Sequence, residues 1–247
     1  MRFDVLTLFP EMFGGFLEAS FVRRAIDGGQ MAVRLRSPRD FGFGKHRSVD
    51  DAPYGGGSGM VMRVDVLVPA MESLDADAPG QVRAHRVLLT PQGRVLDQRK
   101  VEEIAARDAV MLVCGRYEGF DERVREHVAE EISIGDFVMT GGEAGAMVIV
   151  DACARLLPGV LGNEASTIDE SHSPATGGLL EYPHYTRPVE FRGARVPEVL
   201  QGGNHAVIAK WRRARAIERT RARRPDLWER FRAEAGEGPD GRDEDDP

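Results

Sequence analysis

Three short stretches place glycine where a ligand would be met by backbone and not by side chains. Gly115-Arg116-Tyr117-Glu118-Gly119 follows the apolar run AVMLVC, and Gly135-Asp136-Phe137-Val138-Met139-Thr140-Gly141-Gly142-Glu143 follows a short apolar run at 132–134. Pro91-Gln92-Gly93 follows RVLLT in the same way. A glycine after a buried strand either closes a tight turn or lets peptide N–H and C=O groups approach a bound molecule. Three such turns point to a pocket formed by neighbouring loops, because parallel α/β sheets bind ligands beyond the carboxyl ends of their strands. None of them is a GxGxxG fingerprint and the chain has no GxxxxGK[ST], so the usual dinucleotide and nucleoside-triphosphate signatures are missing.

Two further constellations carry charge. Asp50-Asp51-Ala52-Pro53-Tyr54-Gly55-Gly56-Gly57-Ser58-Gly59 sets two carboxylates, with His46 nearby, beside a glycine run that is entropically expensive to order. It reads as a segment that orders over a substrate, or else as a plain surface loop. Residues 210–224 carry eight bases (Lys210, Arg212, Arg213, Arg215, Arg219, Arg221, Arg223, Arg224) and one acid, Glu218. That imbalance favours phosphate binding over a merely solvated helix face.

These residues need elements to hold them. Residues 2–8 are strand-like, apolar runs at 86–90 and 109–114 read as buried strands, 31–36 alternates apolar with basic residues, and 132–134 is a further short strand candidate. Helical patterns fall at 11–26, 64–74, 97–107 (capped by Asp97), 121–128 and 143–157, the last ending before Pro158. Strand–loop–helix repetition with continuously apolar strands means an α/β fold with a mostly parallel sheet. The organisation expected is an α/β domain over 1–158, a mobile linker over 159–185, a small α-helical unit over 186–233 and a disordered acidic tail over 234–247. In the helical unit Asn204 caps a helix whose apolar stripe runs through Val207, Trp211, Ala214 and Ile217.

The chain has 247 residues and a formal charge of -7, which taken alone argues against a nucleic-acid partner. The last 14 residues hold seven acids and one base, so nearly all of that charge lies in the tail and the rest is close to neutral. Two cysteines, Cys114 and Cys153, exclude a disulfide framework and a cysteine-rich zinc site. No apolar run reaches the length of a membrane span, and the N-terminus lacks a signal-peptide pattern. The expected location is the cytoplasm, with no membrane partner.

Taken together the strings resemble the bacterial tRNA (guanine-N1)-methyltransferases of the knotted SPOUT superfamily. The resemblance spans roughly residues 1–215: Leu8-Phe9-Pro10-Glu11-Met12-Phe13, Ser37-Pro38-Arg39-Asp40-Phe41, the 49–59 loop, Thr90-Pro91-Gln92-Gly93 and residues 114–119 with Asp121-Glu122-Arg123. It continues through 133–143, Pro158-Gly159-Val160-Leu161-Gly162, Pro183-His184-Tyr185-Thr186-Arg187-Pro188 and Gly203-Asn204-His205. The resemblance implies a deep trefoil knot and S-adenosylmethionine bound mostly by main chain. The corresponding positions are Leu89, Pro91, Gly115, Tyr117, Glu118, Ile134, Gly135, Asp136, Phe137, Val138, Met139, Gly141 and Gly142. Ala144-Gly145 departs from a pattern that often has proline there.

The implied reaction is methylation of N1 of the guanosine 3′ to the anticodon, position 37 of tRNA. It asks for a base to take the N1 proton and a cation for the guanine carbonyl oxygen. The resemblance assigns Arg155 as the cation. The family's Asp-Ser is here Asp169-Glu170-Ser171, and a gapless count from Arg155 puts Glu170 at the aspartate position, one after Asp169. It further implies Mg²⁺ dependence, a homodimer with the active site between subunits, His46 and Asp50 on the guanine or its neighbour, and Lys210, Arg212 and Arg213 on tRNA phosphates. Tyr182 and His184 can stack on a base or pack in the fold. A knotted methyltransferase acting on ribosomal RNA and a non-catalytic RNA-binding module are the competing readings.

Overall fold

The computed structural model describes residues 1–162 and 170–236. The chain divides into two compact units, Met1–Gly162 and Asn163–Pro247. The first runs β1 (Arg2–Leu6), α1 (Gly14–Leu17), α2 (Ser20–Asp27), β2 (Ala32–Arg36), β3 (Asp50–Asp51), β4 (Val61–Met62) and α3 (Val64–Ala76). It continues with β5 (His85–Val95), α4 (Gln98–Ala105), β6 (Ala109–Cys114), β7 (Glu130–Ser133) and α5 (Glu143–Ala154). The second holds β8 (Glu190–Phe191), β9 (Ala194–Arg195), α6 (His205–Arg223) and α7 (Pro225–Glu234).

Five strands form one parallel sheet in the order β2-β1-β6-β5-β7. Both faces are covered, so the strands are apolar nearly throughout. Phe3, Val5, Val87, Val110 and Leu112 join one core with Val22 and Ala25 of α2, Val101 and Ile104 of α4, and Ile149, Val150 and Cys153 of α5. Leu6, Leu88, Met111 and Val113 face the other way, into a core built with Val66, Leu67, Ala70 and Met71 of α3. β1 carries two buried charged residues, Arg2 and Asp4. Asp4 is fully buried, held by Arg2 Nε at 3.1 Å and Arg34 Nε at 2.6 Å. Pairing of Leu6 with Val113 and of Leu89 with Cys114 and Ile132 brings the carboxyl ends of β1, β5, β6 and β7 to one edge.

Several elements differ from their sequence reading. The pattern at 11–26 is broken into a 3₁₀ turn at Pro10–Phe13 and the helices α1 and α2. Pro91-Gln92-Gly93 is not the end of a strand but an excursion within β5: Leu89 and Arg94 both pair with Ile132. Glycine is needed at 93 because a Cβ there would lie 2.4 Å from Ile132 N. The helix after residue 121 is 3₁₀, Glu122–His127, capped by the Asp121 carboxylate. Asp97 and Asn204 cap α4 and α6 as their positions suggested, accepting from Lys100 N and Val207 N.

The second unit takes in residues that composition alone marks as linker. Leu179 is fully buried, Leu180 N donates to Thr220 Oγ1 at 2.9 Å, and Arg213 donates to Thr176 O at 3.1 Å. This packing turns α6 away from the expected stripe. Its buried residues are Ala216 and Thr220, whereas Val207 and Ala214 are exposed. Thr220 fits that face because its hydroxyl donates to Ala216 O and accepts from Leu180 N, leaving no polar atom unsatisfied.

Candidate functional site

A cavity of about 290 Å³ opens at the carboxyl edge of the sheet. Its walls come from the 89–92 excursion within β5, the 115–120 loop after β6 and residues 132–142 at and beyond the end of β7. The loops are joined by main chain. Gly142 N donates to Gly115 O at 2.9 Å, and Arg116 and Gly141 form an isolated antiparallel bridge. Gly142 admits no side chain, because a Cβ would stand 2.9 Å from Cys114 Cα and 3.0 Å from Gly115 N. At Gly115 a Cβ would meet the Phe120 ring at 2.8 Å. Gly142 is therefore where two backbones cross, and six glycines stand among the residues that line the cavity.

Of the thirteen positions that the family resemblance gives to the cofactor, twelve line this cavity. Asp136 does not. It is exposed at the apex of a tight turn closed by Phe137 N on Gly135 O at 2.9 Å, which directs its side chain outward. Sequence reasoning missed the polar contributors Gln92, Arg116, Glu122, Arg125 and Thr140. Gln92 and Arg116 stand inside the glycine turns, so their position beside the glycines was the available signal.

The electrostatics of the site centre on Glu143, the first residue of α5. It is fully buried yet carries a carboxylate. Thr7 Oγ1 donates to one oxygen at 2.9 Å, and Arg116 Nε donates to the other at 3.0 Å, with Nη2 forming an ion pair to the same oxygen at 2.9 Å. The guanidinium of Arg116 also lies 4.4 Å from the centre of the Phe9 ring and donates to Thr140 O at 3.3 Å. Below the cavity Cys114 is buried, and desolvation, reinforced by Glu143, pushes its thiol well above the usual range. Cys153 is pushed up to about 12 by burial. Both are packing residues, not nucleophiles.

The glycine-rich strap is stitched to the same loops. Asp50 in β3 pairs with Met62 in β4. Glu118 N donates to Met60 O, Met62 N to Gly119 O and Asp121 N to Met62 O. A Cβ at Gly59 would fall 2.5 Å from the Glu118 carboxylate, so the strap passes directly over that side chain. His46 is exposed at the tip of the turn that Phe43 and Ser48 close with two backbone hydrogen bonds.

Other candidates lie elsewhere. Arg155 caps the far end of α5, half-buried, and twelve helical residues separate it from the cavity end of that helix, about 18 Å at 1.5 Å per residue. Glu170 belongs to the second unit, where its carbonyl accepts from Ser173 N at 3.2 Å. Asp169 lies outside the described residues. Lys210, Arg212 and Arg213 are exposed on α6. Arg212 stacks over Tyr182 at 4.7 Å, and Tyr182 in turn lies 4.7 Å from His184, so these two aromatic rings contact each other. Arg213 sits over Phe231 at 5.1 Å. Among the described residues no group of three His, Cys, Asp or Glu side chains could hold a metal ion, and no helix is long and apolar enough to cross a membrane.

Comparison with known proteins follows this geometry. The family model described as tRNA (Guanine-1)-methyltransferase TrmD matches residues 1–230. A protein of Sorangium cellulosum (strain So ce56), named tRNA (guanine-N(1)-)-methyltransferase, is 64% identical over 97% of this chain and 97% of its own length. Proteins of the same name from Geotalea uraniireducens (strain Rf4) and Geobacillus kaustophilus (strain HTA426) are 54% and 52% identical. They cover 92% and 94% of this chain and 90% and 93% of their own lengths.

Proposed function

The chain belongs to the tRNA (guanine-1)-methyltransferase family, and from that membership we propose that it methylates N1 of the guanosine 3′ to the anticodon, position 37 of tRNA. The enzyme is a methyltransferase, its methyl donor is S-adenosylmethionine, and the donor's seat is the cavity at the carboxyl edge of the sheet. The observation that carries this reading is the wall of that cavity, where twelve of the thirteen positions that the family gives to the cofactor meet beside the Gly142 crossing. The close crossing of residues 114–115 by 141–142 also supports the trefoil knot that family membership implies.

When bound, S-adenosylmethionine supplies an electrophilic methyl group on its sulfonium. Leu89, Pro91, Gly115, Tyr117, Ile134 and Met139 would enclose it and exclude water. Neutral guanine carries a proton on N1, so a carboxylate, Glu170 or Asp169, takes that proton as the N1–methyl bond forms. Negative charge then gathers on the guanine carbonyl oxygen, where the Arg155 guanidinium stabilises it. Within one chain Arg155 stands at the opposite end of α5 from the cavity, which supports a homodimer whose second subunit completes the site. Sedimentation at micromolar concentration reading the mass of a single chain would remove that assembly. Glu118 at the cavity wall is the side chain that would share a Mg²⁺ with bound ligand, since this ion is commonly held by one or two carboxylates plus substrate oxygens.

The direct test is transfer of radiolabelled methyl from S-adenosylmethionine to unmodified tRNA. Incorporation is expected with a guanosine pair at positions 36 and 37 and not with adenosine at 37. Incorporation into ribosomal RNA alone, or none into any RNA, would overturn the proposal. His46 and Asp50 fit contacts to the guanine pair, since their ribbon is hydrogen-bonded to the 118–121 loop.

For the basic helix, Arg212→Ala is expected to weaken tRNA binding and reduce the slope of log K against log salt by about 1, leaving donor affinity unchanged. Arg213→Ala should do the same and also lower the melting temperature, because its guanidinium clamps Thr176 O. Filter binding across salt concentrations reads both, and an unchanged slope would take these residues off the phosphates.

A further inference from the structure

We propose that Glu143 is a positioning residue for the methyl donor, acting through Arg116, and that Thr7 sets its orientation. The proposal rests on the reading that the donor occupies the cavity at the sheet's carboxyl edge.

Glu143 is fully buried and does not line the cavity. Burying a carboxylate is unfavourable unless donors surround it, and here both hydrogen-bond donors come from segments next to the cavity. Arg116 gives one from Nε, adds an ion pair through Nη2 at 2.9 Å, and is itself a wall residue. Thr7 gives the other, and its hydroxyl has no freedom to turn away: Phe9 N donates to the same oxygen at 3.0 Å, which leaves the O–H for Glu143. The carboxylate thus ties the end of β1, the loop after β6 and the start of α5 at one point.

Arg116 is then fixed from several sides. Phe9 stacks on it at 4.4 Å, Met12 Sδ lies 3.7 Å from Nη2, and Thr140 O accepts from Nη1. This gives the Leu8-Phe9-Pro10-Glu11-Met12-Phe13 string a task that sequence reading left open: the Phe9 ring lies against the guanidinium of Arg116 and the Met12 sulfur accepts from its Nη2. The ion pair also presses on the loop backbone. A Cβ at Gly141 would lie 2.2 Å from Arg116 Nε and 2.5 Å from a Glu143 carboxylate oxygen, so Gly141 is packed directly beneath the pair. Holding the pair therefore holds residues 140–142 against the 115–119 loop, which is the closed shape of the cavity.

The test uses the full-length protein with S-adenosylmethionine as the titrant. Thr7→Val keeps the side-chain shape and removes the donor, while Glu143→Gln keeps the shape and removes the charge. Both are expected to raise the donor Kd and KM about tenfold or more, with kcat at saturating donor and the Kd for tRNA within about threefold of wild type. Thr7→Ser should restore wild-type donor affinity. Melting curves with and without donor separate positioning from packing: the ligand-induced shift must shrink, beyond any fall of the unliganded protein. Unchanged donor affinity in Thr7→Val and Glu143→Gln, with only a lower melting temperature, would reduce the pair to a packing role and overturn the proposal. Gly145→Val, and Val138→Trp at the exposed mouth, obstruct the cavity itself. If both fold and bind the donor like wild type, the donor is seated elsewhere and this proposal falls with that reading.

Discussion

Glu170→Gln is expected to slow single-turnover methyl transfer by about 10²–10⁴-fold, with affinities for donor and tRNA within about twofold of wild type. The amide preserves the length and most of the shape of the side chain but cannot accept the N1 proton. Without that acceptor, N1 keeps its proton and has no in-plane lone pair with which to attack the methyl group. The backbone of Glu170 is anchored for the task. Its carbonyl accepts from Ser173 N at 3.2 Å and from Thr176 Oγ1 at 3.4 Å, and the same turn is held to α6 by Arg213 on Thr176 O. Asp169→Asn is expected to slow the reaction less than about fivefold. The rate constant should be read from rapid-quench experiments with enzyme in excess, so that tRNA release is excluded. A fully active Glu170→Gln with an inactive Asp169→Asn would transfer the role of base to Asp169. Full activity in both would take the linker carboxylates out of the chemistry. The pH profile gives an independent reading, since loss of the general base flattens the acidic limb of the single-turnover rate.

How much of this was legible in the sequence depends on whether the relevant physics is local. The strand Ala109–Cys114 could be bounded to the residue, because a continuous apolar run between Asp108 and Gly115 admits little else. The Asp97 and Asn204 caps were equally readable, since an N-cap is decided within three residues. The glycine turns announced a cavity because glycine density is itself a one-dimensional signal. Long-range pairing was not legible. The order β2-β1-β6-β5-β7 places strands distant in sequence side by side, and the excursion at 90–93 is visible only once Leu89 and Arg94 are both seen against Ile132. The pair Arg116–Glu143 was missed for the same reason: 27 residues separate the partners, and neither has a partner within its own motif.

The linker reading shows a subtler limit. Residues 159–185 lack helical or strand periodicity, yet Leu179 is fully buried and the segment from 170 onward is hydrogen-bonded to α6. Irregular backbone satisfied by side chains such as Thr220 leaves no periodic trace. The division at 162 and 163 falls inside the stretch that composition marks as linker. The Arg155 position carries a related lesson. The family resemblance implies a role for it beside the methyl group. Only the direction of α5 shows that one chain does not bring it to its own cavity.

Gly142→Ala isolates the crossing on which the site depends. Gly142 has φ -80° and ψ -7°, a conformation that alanine adopts without strain, so any loss must come from space and not from backbone preference. The added methyl would meet Cys114 Cα at 2.9 Å, Gly115 N at 3.0 Å and Cys114 Cβ at 3.3 Å. Two of these three atoms are backbone of a central strand and of the turn that leaves it, and neither can swing aside as a side-chain tip would. Overpacking at such a point costs about 1–3 kcal/mol. The Gly142 N to Gly115 O hydrogen bond at 2.9 Å must lengthen as the two segments part. Because Gly115 and Gly142 both line the cavity, the same displacement is carried into the bound state, and 1–3 kcal/mol there corresponds to about 5–150-fold in donor affinity. Gly14→Ala is the matched control: it is also a non-strained glycine, with φ -51°, but a Cβ there meets nothing within 4 Å. That variant should leave donor affinity unchanged and stability equal or slightly raised, because alanine reduces the entropy of the unfolded chain. Calorimetric titration with S-adenosylmethionine and thermal unfolding of both variants decide the matter. If Gly142→Ala matches Gly14→Ala in both measurements, the two backbones have room to separate. The tight crossing is then not what shapes the cavity.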